Sequence, residues 1–404
     1  MQEAIKITDL SASGQRTRCS IADFDQTVAR QVNEFHASFP EYCATPLASL
    51  PHLAQQLGIQ SLYVKDESFR FGLNAFKVLG GSYAIGQCIA KRLGCSIRDL
   101  PYDTLASTAV RNKLGGLTFV TATDGNHGRG IAWTAQQLGQ KSVVYMPKGS
   151  SRERLRNIQL LGADASITEW NYDGAVAFAA EQAQKNGWIF VQDTAWSGYE
   201  DIPRWIMQGY TSIALEAVHQ LGTIHPTHVF LQAGVGAMAG AVTAFLGNYY
   251  SGDQKPTIVI VEPDRADCIY RTAKANDGTL HCVDGDMDTI MAGLACGQPC
   301  SIAWEILRDW ADYFVSMPDW VAANGMRILG APSGMDPRVI SGESGAAGFG
   351  LAAEILRNPN LESLKTQLGL DQNSVVLCIS TEGSTDQENY RRIVWDGGFP
   401  AGSI

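Results

Sequence analysis

His228-Val-Phe-Leu-Gln-Ala-Gly-Val-Gly236 runs an apolar, β-branched stretch into a glycine turn, and a small-residue helical stretch follows to Leu246. The run Thr257-Ile-Val-Ile-Val-Glu262 then reads as a second strand. The same unit occurs earlier. Thr118-Phe-Val-Thr-Ala-Thr-Asp-Gly-Asn-His-Gly128 leads into a helix whose Ile131, Ala135 and Leu138 share one face, stopped by Gly139. Ser142-Val-Val-Tyr-Met146 is the next strand, closed by Pro147. Ser150-x-x-Glu153 reads as a capping box for a helix with Leu155, Ile158 and Leu161 on its apolar face and Gly162 at its end. A last strand, Ser374-Val-Val-Leu-Cys-Ile-Ser380, meets the loop Thr381-Glu-Gly-Ser-Thr-Asp386. Strands that are apolar throughout and alternate with helices are buried on both faces. That pattern predicts an α/β fold with mainly parallel sheets.

A chain of 404 residues is long for one core and predicts two or three domains. A hydrophobic content of 45% with 18% charged residues excludes global disorder. Asp and Glu (41) outnumber Lys and Arg (31), for a net charge of −10, which argues against nucleic-acid or anionic-membrane partners because both demand a basic face. From Val229 to Gly252 there is no charge, long enough to cross a bilayer. Gln232, Asn248, Ser251 and the clustered Gly234, Gly236 and Gly240 make it a strand, turn and helix instead. The nine cysteines contain no C-x-x-C pair, so they read as neither a zinc site nor a disulfide framework. Each is expected to be a small buried hydrophobe, and Cys268 and Cys296 flank a Gly- and Asp-rich stretch across which they could meet. Met1 to Leu10 has no apolar signal core, which predicts a cytoplasmic protein.

Three stretches can carry chemistry, and each has a plainer reading. In Phe69-Arg-Phe-Gly-Leu-Asn-Ala-Phe-Lys-Val-Leu-Gly-Gly81, Lys77 sits among apolar residues. It is either a lysine whose amine reaches out to water or a desolvated amine suited to a Schiff base. Ala233-Gly-Val-Gly-Ala-Met-Ala-Gly240 is either close helix–strand packing or a phosphate cradle at a helix N-terminus. As G-x-G-x-x-[GA], with Glu262 ending the next strand, it also fits a dinucleotide fold. In Thr123-Asp-Gly-Asn-His-Gly128, Asn126 is a turn or cap residue, or an amide aimed at a cofactor ring oxygen.

Taken together and in this order, Asn-Ala-Phe-Lys77, Asp-Gly-Asn126-His-Gly and Gly234-Val-Gly-Ala-Met-Ala-Gly240 resemble the fold type II pyridoxal-phosphate enzymes. Lys65-Asp-Glu-Ser, Phe71-Gly-Leu-Asn-Ala-Phe-Lys77, Gln192-Asp-Thr-Ala-Trp196, Trp205-Ile-Met-Gln-Gly209, Ile290-Met-Ala-Gly-Leu-Ala-Cys296 and Ile340-Ser-Gly-Glu-Ser-Gly345 narrow the likeness. These runs resemble the diaminopropionate ammonia-lyases from about Pro46 to Trp395. The resemblance implies bound pyridoxal 5'-phosphate. Lys77, next to Phe76, would be the Schiff-base lysine, and Asn126 would contact the phenolic oxygen. Gly234, Val235, Gly236, Ala237 and Met238 would hold the phosphate. Ser380 or Thr381 would offer a hydroxyl to the pyridine nitrogen, and Glu343 would lie beside the ring. A hydroxyl does not favour a protonated ring, which suits elimination rather than transamination.

Asp124 departs from the wider fold, whose dehydratases and synthases usually carry Ser before Gly-Asn. A carboxylate there suits a substrate ammonium, or a base on the ring face opposite Lys77; Asp193 is a second acid expected near the substrate. For both acids the plainer role is a cap or loop position. The implied reaction is α,β-elimination of 2,3-diaminopropionate to pyruvate and two ammonia. Its rivals are a serine or threonine dehydratase or β-replacement synthase, a nucleotide-dependent oxidoreductase built on Gly234, Gly236 and Glu262, and a silent amino-acid-binding module. The resemblance also implies a large cofactor-binding domain from residues 1–82 and 205–404 and a small inserted domain, 83–204, with a hinge candidate at Trp196–Trp205. A small-molecule amino-acid substrate and a homodimer complete the expectation.

Overall fold

The computed structural model describes residues 5–10, 18–123 and 125–401. Among them, eleven strands form two sheets. They are β1 (Lys6–Asp9), β2 (Leu47–Ser49), β3 (Ser61–Asp66), β4 (Thr118–Ala122), β5 (Lys141–Met146), β6 (Asp164–Ile167), β7 (Ile189–Phe190), β8 (His228–Gln232), β9 (Thr257–Pro263), β10 (Tyr313–Met317) and β11 (Val375–Ser380). The larger sheet has the order β1-β10-β9-β8-β11-β3-β2, and the smaller β6-β5-β4-β7. Only the edge strands β1 and β2 pair antiparallel; every other pairing is parallel. The chain is an α/β protein with mainly parallel sheets.

Period-2 alternation explains why the central strands are apolar at every position. Val229 and Leu231 enter one hydrophobic cluster and Phe230 the opposite one; Leu377 and Ile379 divide from Val376 and Cys378 in the same way. The uncharged segment near residue 240 resolves into β8, a turn and the helix Ala237–Tyr249. No helix among the described residues is long and apolar enough to cross a membrane.

Three helices pack around the residue that precedes one of them, Lys77. They are Val78–Leu93, Asn126–Gln137 and Asp201–Leu221. A Cβ at Gly209 would lie 2.4 Å from Leu79 O, and one at Gly130 would lie 2.8 Å from Val78 Cα. Both crossings therefore bring backbones together where only glycine fits. On the Asn126–Gln137 helix, Ile131, Ala135 and Leu138 are fully buried, as their spacing predicts.

Two local expectations are corrected. The helix expected from Ser150 runs Arg152–Gln159 with Ser151 at its N-cap, and the Ser150 hydroxyl donates to Pro147 O in the turn before it. Of its expected apolar face, only Ile158 is fully buried. The cysteines do not all behave as buried hydrophobes: Cys43, Cys95 and Cys282 are exposed and Cys19 half-buried.

A buried ionic cluster joins β3 to the Asp201–Leu221 helix. Glu216 accepts from Lys65 Nζ at 2.6 Å and from Arg70 at 2.7 and 2.8 Å, while Glu67 pairs with Arg70 at 2.8 Å. Two cations thus meet two carboxylates with almost no exposure to water. Burial works to raise the Glu216 carboxyl, but Arg70 and Lys65 outweigh it and bring it to about 2. Glu216→Leu leaves excess positive charge in the interior and is expected to cost about 3–5 kcal/mol, read as the drop in unfolding free energy in urea. A loss below about 1 kcal/mol would mean that the cations find other partners.

Candidate active site

Lys77 ends the segment that leaves the large sheet after β3. The Phe76 N–H donates to Thr381 O at 3.1 Å, which ties this segment to the loop after β11. The Lys77 side chain is 18% exposed, and its Nζ lies 2.7 Å from Asp193 Oδ2. The amine is therefore paired within a cavity wall and does not reach out to water. Asp193 follows β7 of the small sheet and is held by its neighbour. Gln192 accepts from Thr121 Oγ1 at 2.8 Å and from the Ala122 N–H at 3.1 Å, and donates to Tyr172 OH at 3.0 Å. Burial alone would raise the Asp193 carboxyl. The Lys77 charge, with His127 and the Lys77 hydrogen bond, outweighs it and brings the group to about 2.

Lys77 and Asp193 line one cavity. Phe76, Asn126, Thr381 and the run Gly234, Val235, Gly236, Ala237, Met238 line it too. Gly236 adopts φ +92° at the N-cap of the Ala237–Tyr249 helix, and a Cβ there would lie 2.9 Å from Ile269 Cδ1. The glycines open the approach to a helix N-terminus, whose N–H groups and dipole favour an anion.

The remaining candidates separate. Adjacent strand residues face opposite ways. Ser380 turns away and donates to Ser341 Oγ at 2.8 Å, whereas Thr381 lines the cavity. Thr381 Oγ1 accepts from Gln232 Nε2 at 3.0 Å, which leaves its own proton to donate into the cavity. Glu343 is buried but is not among the lining residues, because its carboxyl turns to the Asn389 amide. Asp124 lies outside the described residues. Glu262 is the buried cap of the Cys268–Ala275 helix. It accepts the N–H groups of Ile269 and Tyr270 at 2.9 and 2.6 Å, so its carboxyl is engaged where a dinucleotide fold would need it on a ribose. Cys268 and Cys296 are both buried and are not joined in a disulfide. Burial, then Glu262 and the nearby Cys296, hold the Cys268 thiol well above its ordinary value.

These residues fit pyridoxal phosphate. An amine, an amide donor, a hydroxyl donor and an anion cradle converge on one cavity. Two buried polar atoms on its wall, Tyr210 OH and Gln232 Oε1, have no hydrogen-bond partner among the described residues. Such groups call for a polar ligand or water.

A family model described as pyridoxal-phosphate dependent enzyme matches residues 39–370. A diaminopropionate ammonia-lyase from Salmonella typhimurium is 51% identical over 385 residues, 94% of this chain and 95% of that protein. This chain belongs to the diaminopropionate ammonia-lyase family. The holo diaminopropionate ammonia-lyase of Escherichia coli superposes with a TM-score of 0.92 at 48% identity, covering 100% of both chains. The same Escherichia coli enzyme in complex with an aminoacrylate-PLP azomethine reaction intermediate gives 0.90 at 48% identity, over 99% of both chains. The fold is thus that of the fold type II pyridoxal-phosphate enzymes.

Among the residues on this ammonia-lyase cavity wall that sequence reasoning missed are the hydrogen-bonding side chains of Tyr210, Gln232, Ser344 and Glu382. Glu382 had a signal, being an acid between a buried strand end and a glycine. Tyr210 and Gln232 had none beyond their place next to quoted motifs.

Burial pushes the Glu343 carboxyl up to about 7 from an ordinary 4.5, and the charge of Glu382 adds to the shift. A carboxyl raised in the folded chain contributes stability that is full below its unfolded value of 4.5 and is lost as pH rises through 7. Glu343→Gln, always neutral, is expected to raise the melting temperature at pH 8 by the equivalent of roughly 2–4 kcal/mol and to leave it nearly unchanged at pH 4. Identical shifts at both pH values would contradict the raised titration.

Proposed function

We propose that the protein catalyses the α,β-elimination of 2,3-diaminopropionate, which with one water gives pyruvate and two ammonia. The observation that carries this reading is the Lys77–Asp193 pair, 2.7 Å apart, on the wall of the cavity that the glycine cradle lines. Lys77 would hold pyridoxal phosphate through its amine, Asn126 at the phenolic oxygen, Gly234 to Met238 at the phosphate and Thr381 at the pyridine nitrogen. When bound, that group supplies an electron sink for the substrate α-carbon.

The residues of the chain do the rest. Lys77 Nζ takes the α-proton from one face. Asp124 takes it from the other, so that both enantiomers are substrates. Asp193, ionised throughout the neutral range, offers a carboxylate to a substrate ammonium. A carboxylate selects an ammonium over a hydroxyl, because a hydrogen bond between charged groups contributes about 1.5–3 kcal/mol. That preference, with Asp124 in place of Ser, counts against a serine or threonine dehydratase or a β-replacement synthase. The oxidoreductase reading loses Glu262 to its helix cap, and a silent binding module gives the Lys77–Asp193 pair no task.

The protein acts in amino-acid catabolism as a cytoplasmic homodimer. Its free thiols fit a reducing compartment, and twofold symmetry is the commonest assembly. Residues 1–82 and 205–404 make the large cofactor-binding domain and 83–204 the small one, which agrees with all strands of the four-stranded sheet falling between Thr118 and Phe190.

Pyruvate release from each enantiomer of diaminopropionate tests the reading. Lys77→Ala is expected to lower it by about 10²–10⁴-fold on both. Asp124→Asn is expected to lower it on one enantiomer only. Faster turnover of serine than of diaminopropionate by the wild type would replace the reading with a dehydratase.

A further inference from the structure

Two loops meet behind the cavity, residues 341–345 and 381–383. The Gly342 N–H donates to Glu382 O at 2.9 Å. A Cβ at Gly342 would lie 2.4 Å from Gly383 O and 3.1 Å from Glu382 Cγ, and one at Gly345 would lie 2.6 Å from Glu382 O. The glycines on either side of Glu343 and Ser344 are therefore the space that admits Glu382. On its other side, Glu382 bridges to Ala75, two residues before Lys77. Its side chain is 2% exposed and lines the cavity. Oε1 accepts from the Ser344 N–H at 3.2 Å, and Oε2 accepts from Asn126 Nδ2.

The second contact has a consequence for Asn126. A side-chain amide has two orientations, related by a half-turn, that exchange its NH2 and C=O ends. An ionised carboxylate accepts and never donates, so it tolerates only the NH2 end. One N–H of Asn126 then goes to Glu382, and the second stays on the same end, free to donate to an oxygen in the cavity. In the reversed orientation, the Asn126 oxygen would face both the carboxylate and that oxygen, acceptor against acceptor.

We propose that Glu382 is a positioning residue that fixes the Asn126 amide with its NH2 end toward the phenolic oxygen of pyridoxal phosphate. This rests on the cofactor reading above and assigns the role to Glu382, one loop away from the acid of the Ser-Gly-Glu-Ser-Gly345 motif.

A double-mutant cycle tests it on the full-length protein. Glu382→Gln keeps the shape but presents both a donor and an acceptor, so the Asn126 amide loses its enforced orientation. It is expected to weaken pyridoxal-phosphate binding about tenfold, the size of one misdirected hydrogen bond, and to shift the pH midpoint of the bound cofactor's absorption by about one unit. In an Asn126→Ala background, the same substitution is expected to change neither quantity. The melting temperature of the cofactor-free protein measures any folding defect separately. Should the Gln variant not fold, Glu382→Asp, which keeps an acceptor-only group on a shorter stem, enters the same cycle with the same expected loss of effect over Asn126→Ala. An unchanged affinity and absorption in Glu382→Gln, or an equal loss in both backgrounds, overturns the proposal. A wild type that binds no pyridoxal phosphate overturns the functional reading instead.

Discussion

Lys77 and Asp193 come from different sheets. One follows β3 of the larger sheet, the other follows β7 of the smaller, and their 2.7 Å pair closes the junction between them. A charged amine and a carboxylate so far removed from water are each costly alone and tolerable together. The pair therefore links the two parts of the chain across a cavity that residues from both of them line. The supports on either side are stiff. Gln192 pins Asp193 to β4, and the glycine contacts at Gly209 and Gly130 pin the backbone next to Lys77.

Charge is handled in two ways in this interior. Lys65, Glu67, Arg70 and Glu216 form a closed set in which every charge has a counter-charge and no lining residue of the cavity takes part. Along the cavity wall, by contrast, polar atoms such as Tyr210 OH and Gln232 Oε1 are left for a ligand to complete. The first arrangement holds β3 to the Asp201–Leu221 helix, and the second makes a site. The acids follow the same division. Glu262 and Glu216 serve the fold, while Asp193 and Glu382 line the cavity.

Much of this was legible in the sequence because it rests on periodicity and on glycine. Strand, glycine turn and helix are local patterns, so β5, β9 and β11 were found within a residue of their observed ends, and β4 and β8 from their first residue. The cradle from Gly234 to Met238 and the lysine at 77 were readable for the same reason, as motifs whose residue types have few other uses. What was not readable depends on which way a side chain turns once distant loops meet. Glu343 sits in a conspicuous motif yet turns to Asn389, and Glu382 reaches Asn126 from a loop more than two hundred positions away along the chain. Ser380 and Thr381 could be told apart only by knowing which face of β11 meets the cavity. The helix expected from Ser150 slipped by one, with Ser151 at the N-cap.

β11 is the penultimate element of the chain, yet it lies between β8 and β3 in the middle of the larger sheet. During synthesis β3 emerges early and must wait, its central edge uncovered, until residues 375–380 have left the ribosome. Pairings that span so much of the chain form slowly, and an open parallel edge invites association with other chains in the meantime. A prematurely terminated product would lack a central strand, and with it the Thr381–Glu382 wall. A piece that ends before Val375 leaves β8 and β3 without the strand that joins them.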